Sequence, residues 1–210
     1  MKDVFIGNSI VRGMNSRNWE TICLPGADWQ RISEYVLDHG HRLSYSRVYI
    51  HIGPVQYSKR VFVGDQRQYI LQDGPTDPQE FFGVCSNTLT RHHITLIFCT
   101  LYPMSFERYN LDLCRDFLSA SRRRNYQEST SQIQRLVVRA NRRIVKYNEK
   151  GMMVTPFLHR QIFTRRRGKY SFRDQFLSDG LHPRTATTRE RTAILERAVR
   201  MNRAADHYNR

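Results

Sequence analysis

Two short stretches near opposite ends of a 210-residue chain hold residue types that could do chemistry together. "FIGNSIV" places Ser9 just after the apolar run Val4, Phe5, Ile6 and a glycine. "SDGLHP" sets Asp179 and His182 three residues apart. Within one turn of backbone that spacing lets a carboxylate reach the Nδ1–H of an imidazole, fix its tautomer and stabilise the imidazolium. The other ring nitrogen is then free to take a proton from a serine hydroxyl, the opening step of nucleophilic acyl transfer. Each half also has a plainer reading. A serine at that position caps a helix, and D-x-x-H alone is commonly a turn with a surface histidine. His51 lies inside an apolar strand and reads as a core histidine, and His92-His93 has no partners at zinc-ligand spacing. No metal site and no cofactor are expected.

Placing Ser9 and His182 together requires a fold that returns the chain to one edge. Strand-like and helix-like segments alternate along the sequence. Residues 4–7 read as a first strand, "WETICL" as a second, "RVYIHI" as a third, the most apolar run "ITLIFCTL" as a fourth, and residues 152–155 as a fifth. Helical periodicity runs over residues 29–37, 78–89 and 129–150. Ser129 with Gln132 and Thr187 with Glu190 have capping-box spacing, the second opening a final helix to about Asn202. Such alternation predicts right-handed crossovers and a mostly parallel five-stranded sheet between helical layers, a three-layer α/β/α sandwich. At 210 residues, with 40% of them hydrophobic, a single domain spanning 1–210 is expected. Residues 54–78 are too long for a simple connection and are expected to form a hairpin insertion. In open α/β sheets the reactive groups gather at the carboxyl ends of the strands, where Ser9 would sit.

The order of these features carries a resemblance. "FIGNSI", "LPGAD", "VYIHIG" and "SDGLHP" follow one another from Val4 to the final helix. The pattern resembles the SGNH, or GDSL-type, hydrolases. The resemblance implies a flavodoxin-like sheet of order 2-1-3-4-5, hydrolysis of acyl esters without metal or cofactor, and a small acyl-ester substrate. By motif, Ser9 would be the nucleophile, His182 the general base and Asp179 its orienter, with the backbone N–H groups of Ser9 and Gly26 in the oxyanion hole. Two positions depart from the pattern. Asn8 stands where an aspartate is usual. Gly53-Pro54-Val55 stands where Gly-x-Asn would supply an oxyanion donor, so Val55 removes one; Gln56 or Tyr57 could substitute if the loop is shifted. Loss of one such donor typically costs about 10²- to 10³-fold in rate. A weakened or inactive fold serving as a binding module is therefore the alternative to an esterase.

Charge supplies the second theme. The net charge is +15, and residues 115–173 hold 16 Lys or Arg against Asp116, Glu128 and Glu149, leaving that region at +13. The clusters are Arg122, Arg123, Arg124; Arg142, Arg143, Lys146; and Arg165, Arg166, Arg167, Lys169. Tyr170 and Phe172 interleave with the last cluster, which suits backbone-and-stacking contact with single-stranded nucleic acid. Another polyanion, an anionic membrane surface or a nuclear import signal fits the same charge, and a solvated basic face is the plain alternative. Pairing this fold with strong basic charge is similar to the esterase domains of some LINE-type retrotransposons, although their coiled coil and zinc knuckles are absent from this sequence. No stretch has the roughly 18 apolar residues of a membrane span, and no secretory leader is evident. Cys23, Cys85, Cys99 and Cys114 have no paired spacing and read as free thiols in a reducing compartment, so an intracellular, cytoplasmic or nuclear setting is expected.

Overall fold

The first strand, β1 (Lys2–Gly7), has buried residues from Asp3 to Gly7 and so must be covered on both faces. In the computed structural model, which describes residues 1–63, 66–72, 78–113 and 120–208, that cover is complete. A single 3₁₀ turn (Ser9–Val11) follows, then β2 (Glu20–Cys23), α1 (Trp29–Asp38) and β3 (Ser46–His51). Another 3₁₀ turn (Pro54–Tyr57) leads into an antiparallel hairpin of β4 (Ser58–Val63) and β5 (Gln66–Leu71). Next come α2 (Pro78–Arg91), β6 (Thr95–Phe98), α3 (Phe106–Leu113) and α4 (Ala120–Lys150). A second hairpin, β7 (Phe163–Arg166) with β8 (Lys169–Phe172), and α5 (Thr185–Tyr208) complete the chain.

The main sheet is parallel throughout, in the order β2-β1-β3-β6. Successive side chains of a strand point to opposite faces, so each strand feeds two cores. Val4, Ile6, Val48, Ile50, Leu96 and Phe98 face Trp29 and Ile32 of α1, Cys85 and Leu89 of α2, and Ile133, Val137 and Ile144 of α4. Phe5, Tyr49, Ile97 and Cys99 face Met14, Trp19, Leu158 and the α5 residues Leu195 and Val199. This is the expected three-layer α/β/α sandwich, with helices on both sides of the sheet.

The sheet has four strands, not five, because the outer edge of β6 is already occupied. Cys99 N–H bonds inward to the Ile50 carbonyl, which turns the backbone groups of Phe98 outward. There the Asn148 amide of α4 meets both: Phe98 N–H donates to Oδ1 at 3.1 Å, and Nδ2 donates to the Phe98 carbonyl at 2.8 Å. Two helical turns earlier, Asn141 does the same to Leu101, at 2.7 and 2.8 Å. A helix side chain thus replaces the ladder that residues 152–155 were expected to form. Those residues run alongside without strand geometry; Val154 is held instead by the Asn202 amide of α5 at 2.6 and 3.2 Å.

Three further differences concern helices. α4 begins at Ala120, so Ser129 lies within it and caps nothing; Tyr126 is buried seven residues before Ile133, and the apolar stripe simply continues upstream. α5 begins at Thr185, which puts Thr187 inside its first turn, where its hydroxyl donates to the Phe176 carbonyl at 3.2 Å. α3 had no sequence signal. Its Asn110 closes the β4–β5 hairpin by bonding both backbone groups of Tyr69, at 2.9 and 3.0 Å. Cys23, Cys85 and Cys99 are free thiols, and Cys114 lies outside the described residues. Among the described residues no helix is long and apolar enough to cross a membrane.

The edge bond of Asn148 is testable. Asn148→Leu should lower stability by about 1–3 kcal/mol, the penalty for stranding a buried N–H and C=O. Asn148→Asp should cost more at pH 8 than at pH 4, since only a protonated carboxyl can still donate to the Phe98 carbonyl. Urea unfolding at both pH values measures this; an unchanged midpoint for the Leu variant would mean that another group satisfies the edge.

Candidate active site

β1 ends at Gly7, and the chain turns at Asn8, which is fully buried. Asn8 Oδ1 accepts from Ile10 N–H at 3.1 Å, so Asn8, not Ser9, caps the 3₁₀ turn. That turn is only three residues long, so it brings no helix dipole to bear beside Ser9. The rest of the Asn8 amide is also used: Nδ2 donates to the Ala27 carbonyl at 3.4 Å. Ala27 closes the turn Leu24-Pro25-Gly26-Ala27 by donating to the Leu24 carbonyl at 3.0 Å, and Leu24 N–H bonds Gly7 at 2.7 Å. Proline second and glycine third, the latter at φ +71°, make this a type II turn. Asn8 therefore ties the turn that carries Ser9 to the turn that carries Gly26. An aspartate there could accept from Ile10 but could not donate to Ala27.

The loop after β3 closes on the same place. Gly53 packs so tightly on Ile10 that a Cβ there would overlap the Ile10 side chain. Val55 follows in the 3₁₀ turn, and its side chain lies outside the described part of the molecule. Tyr57 is fully buried in the core shared with α4, and Gln56 is buried beside it.

Asp179 and His182 are held by a loop that bonds to itself. Asp179 Oδ1 accepts from Leu181 N–H at 2.9 Å and His182 N–H at 2.7 Å, leaving Oδ2 to meet His182 Nδ1 at 2.7 Å. Ser178 N–H donates to the His182 carbonyl at 2.7 Å, and the Leu181 carbonyl accepts the Tyr102 hydroxyl at 3.1 Å. Gly180 sits at φ +85°, with Ser105 and Tyr109 backbone atoms 2.8 Å from where a Cβ would be, so only glycine fits. The result is a line of three side chains: Ser9 Oγ is 3.0 Å from His182 Nε2, and His182 Nδ1 is 2.7 Å from Asp179 Oδ2. The Asp179 carboxyl would be raised by its partial burial, but bonds from the His182 ring and from the His182 and Leu181 backbone outweigh this and bring it down to about 2. Asp179 is therefore a carboxylate across the physiological range, which keeps Nδ1 protonated and Nε2 able to accept.

Beneath this line lies a residue that the sequence reading passed over. Arg191 of α5 is fully buried, and no carboxylate pairs with it among the described residues. Its Nη1 donates to the Ile10 carbonyl at 3.3 Å and its Nη2 to His51 Nε2 at 2.6 Å, while the guanidinium lies 5.3 Å from the Tyr102 ring centre. Burial, and then the Arg191 charge, push His51 well below its ordinary pKa, so His51 is a neutral acceptor. Arg191 thus braces the Ser9 turn and, through Tyr102, touches the ring that holds the His182 loop. Its signal was present: Arg191, Leu195, Ala198, Val199 and Asn202 share one helical face, and all are buried.

The basic clusters do not form one surface. Arg123 and Arg124 are exposed near the start of α4, with Arg123 paired to Glu107 at 3.3 Å; the side chain of Arg122 lies outside the described part. Arg142, Arg143 and Lys146 lie about 27 Å further along the same helix. Arg165, Arg166, Arg167 and Lys169 belong to the β7–β8 hairpin, and Arg142 and Arg165 line one cavity. No cluster of three or more metal-ligating side chains occurs among the described residues.

No protein-family model matches the chain, and no curated protein matches it. Solved structures do. A Bacteroides fragilis protein provisionally described as an acylhydrolase superposes with TM-score 0.63 at 14% identity, covering 95% of this chain and 86% of its own. A GDSL-like lipase from Bacteroides thetaiotaomicron gives TM-score 0.60 at 17% identity, covering 95% and 88%. A lipase/acylhydrolase from Enterococcus faecalis gives 0.50 at 15%, covering 96% and 95%. The chain has the fold of the SGNH, or GDSL-type, hydrolases.

Proposed function

We propose that the chain is a serine hydrolase of acyl esters. The observation that carries this reading is the continuous hydrogen-bonded line Ser9 Oγ, His182 Nε2, His182 Nδ1, Asp179 Oδ2, at 3.0 and 2.7 Å. It stands at the carboxyl end of β1, where a parallel sheet opens to ligands. The structural neighbours named for lipase and acylhydrolase activity lend support through fold alone.

In this mechanism Ser9 Oγ attacks the ester carbonyl while His182 Nε2 takes its proton. The oxyanion forms against the backbone N–H groups of Ser9 and Gly26. Collapse expels the alcohol, which receives the proton from His182, and leaves an acyl-Ser9. Water, deprotonated by His182, then releases the acid and restores the serine. Asp179 stays ionised and orients the ring. The line is open to solvent: the His182 and Asp179 side chains are 36% and 34% exposed, which admits substrate and water directly.

A fluorophosphonate probe should label Ser9, and Ser9→Ala should abolish both the label and turnover of p-nitrophenyl acetate. Folded protein that takes no label would favour the binding-module reading, in which the loss of an oxyanion donor at Val55 has ended catalysis.

Asp179→Asn should reduce kcat by on the order of 10⁴, because an amide that donates to Nδ1 leaves the proton on Nε2, where it blocks the serine. The folded Asp179 value of about 2 lies below its ordinary 3.8, so its ionised form favours the folded state. That contribution is present above about pH 4 and is lost as pH falls toward 2. The Asn variant should therefore lose part of the acid dependence of stability in that window, read by urea midpoints at pH 2.5 and 6. A variant with wild-type kcat would remove Asp179 from the mechanism.

A further inference from the structure

A second concave site lies between α4 and the β7–β8 hairpin. It is a cavity of about 620 Å³, within the range typical of small-ligand sites. Its walls combine Arg142, Arg160 and Arg165 with Phe157, Tyr170 and His159. No aspartate or glutamate lines it, and none of the three arginines forms an ion pair among the described residues.

The arginines are held over aromatic rings. The Arg160 guanidinium lies 4.8 Å from the Phe157 ring centre and that of Arg165 lies 5.6 Å from Tyr170. Tyr170 in turn stacks on Phe163, with centres 5.1 Å apart and planes 22° from parallel. Packing against rings leaves the N–H edges of a guanidinium free for an anion and its flat face available to a planar group. The hairpin that carries Arg165 and Tyr170 is fixed by a two-residue turn, Arg167-Gly168, with both residues at positive φ (49° and 79°). His159 adds a polar, uncharged group: burial, and then the Arg160 charge, pull it down to about 4, and its buried Nδ1 has no hydrogen-bond partner. The wall therefore offers cations for a phosphate and planar surfaces for a base.

We propose that this cavity binds one nucleotide unit of single-stranded nucleic acid, with the phosphate on Arg142, Arg160 and Arg165 and the base against the Tyr170 wall. A strand is favoured over a free nucleotide because exposed cations continue outward on both sides. Arg166, Arg167 and Lys169 extend along the hairpin, and Arg139 and Lys146 along α4. Stacking on aromatic faces with backbone neutralisation is tolerant of sequence, as expected for such a site. The proposal is independent of the hydrolase reading and is tested by binding alone.

Fluorescence anisotropy with labelled oligouridylate and oligoadenylate ten-mers across a salt series measures it. Both should bind with similar affinity, log K falling by about 0.7 per phosphate contact against log salt. The triple variant Arg142→Gln, Arg160→Gln, Arg165→Gln should weaken both at least about tenfold and flatten the slope by about 0.7 or more. A second triple variant, Arg124→Gln, Arg135→Gln, Arg200→Gln, removes the same charge from exposed positions outside the cavity and should change affinity less than about threefold. Tyr170→Leu should weaken binding by about tenfold with the slope unchanged. AMP alone should compete only at concentrations about 10²-fold higher than the ten-mers. Far-ultraviolet circular dichroism and thermal melts verify that each variant is folded. Absent binding at low salt, equal loss in the two triple variants, or an unaffected Tyr170→Leu would overturn the site; AMP binding as tightly as the ten-mers would overturn the strand.

Discussion

A parallel sheet must satisfy the backbone groups at its outer edges, and at β6 this molecule does so with an asparagine side chain borne on a helix, a device it repeats elsewhere. A primary amide presents one acceptor and one donor at nearly the spacing of a peptide group, so it can pair with an N–H and a C=O of the same residue. Asn148 and Asn141 do this for Phe98 and Leu101, Asn110 for Tyr69, and Asn202 for Val154. All four asparagines are buried, where an unmet partner would cost about 1–3 kcal/mol. The device fixes more than an edge. It sets the rotation of α4 against β6, docks the inserted β4–β5 hairpin on α3, and holds residues 154–156 beside the sheet in place of a strand. The cavity lined by Asn141 inherits its α4 wall from these attachments.

The turn that carries Ser9 rests on a different constraint. Three loops, from the ends of β1, β2 and β3, meet around Asn8, and Arg191 enters from the opposite layer to bond the carbonyl of Ile10. A buried guanidinium without a carboxylate is unfavourable unless its donors find neutral acceptors. Elsewhere in the molecule buried Arg47 follows the ordinary rule, pairing with Asp3 at 2.9 Å. Arg191 instead uses a carbonyl, a neutral imidazole and an aromatic face. Its guanidinium bonds the carbonyl of Ile10, the residue next to Ser9, and fixed positive charge favours negative charge that develops nearby.

How much of this was legible depends on the range of the interaction. The meeting of Ser9, Asp179 and His182 was readable because their positions are encoded locally: a strand-to-turn junction for the first, and a three-residue spacing with a glycine turn for the other two. The β-α alternation was readable because burial on both faces writes continuous apolar runs. The fifth strand failed for a long-range reason. Residues 152–155 have strand-like composition, but Asn148 already occupies the edge, and a local pattern cannot report competition for a shared partner. Ser129 and Thr187 failed because capping spacing is short and recurs inside helices, whereas the buried stripe around Tyr126 and Ile133 decides where α4 continues. Arg191 was hidden for the opposite reason: its helical face was visible, yet an arginine is ordinarily assigned to solvent. The basic residues were visible individually, but only the fold separates Arg123 and Arg124 from Arg142 and Arg165.

That separation sets the arginine-lined cavity apart from the Ser9–His182–Asp179 line. A surface dense in positive charge tends to lower the pKa of neighbouring histidines and to draw anions into any open cleft. The Ser9–His182 line lies over β1, at the β2 side of the sheet, whereas the arginine-lined cavity lies against α4 beyond β6, at the other side. Between them stand β3 and the buried Arg191–His51 pair, where the histidine carries no charge. Arg191 is buried and fixed there by its bonds to the Ile10 carbonyl and His51. The exposed cations of the β7–β8 hairpin lie about the arginine-lined cavity instead, so either region can change by substitution without passing through the other.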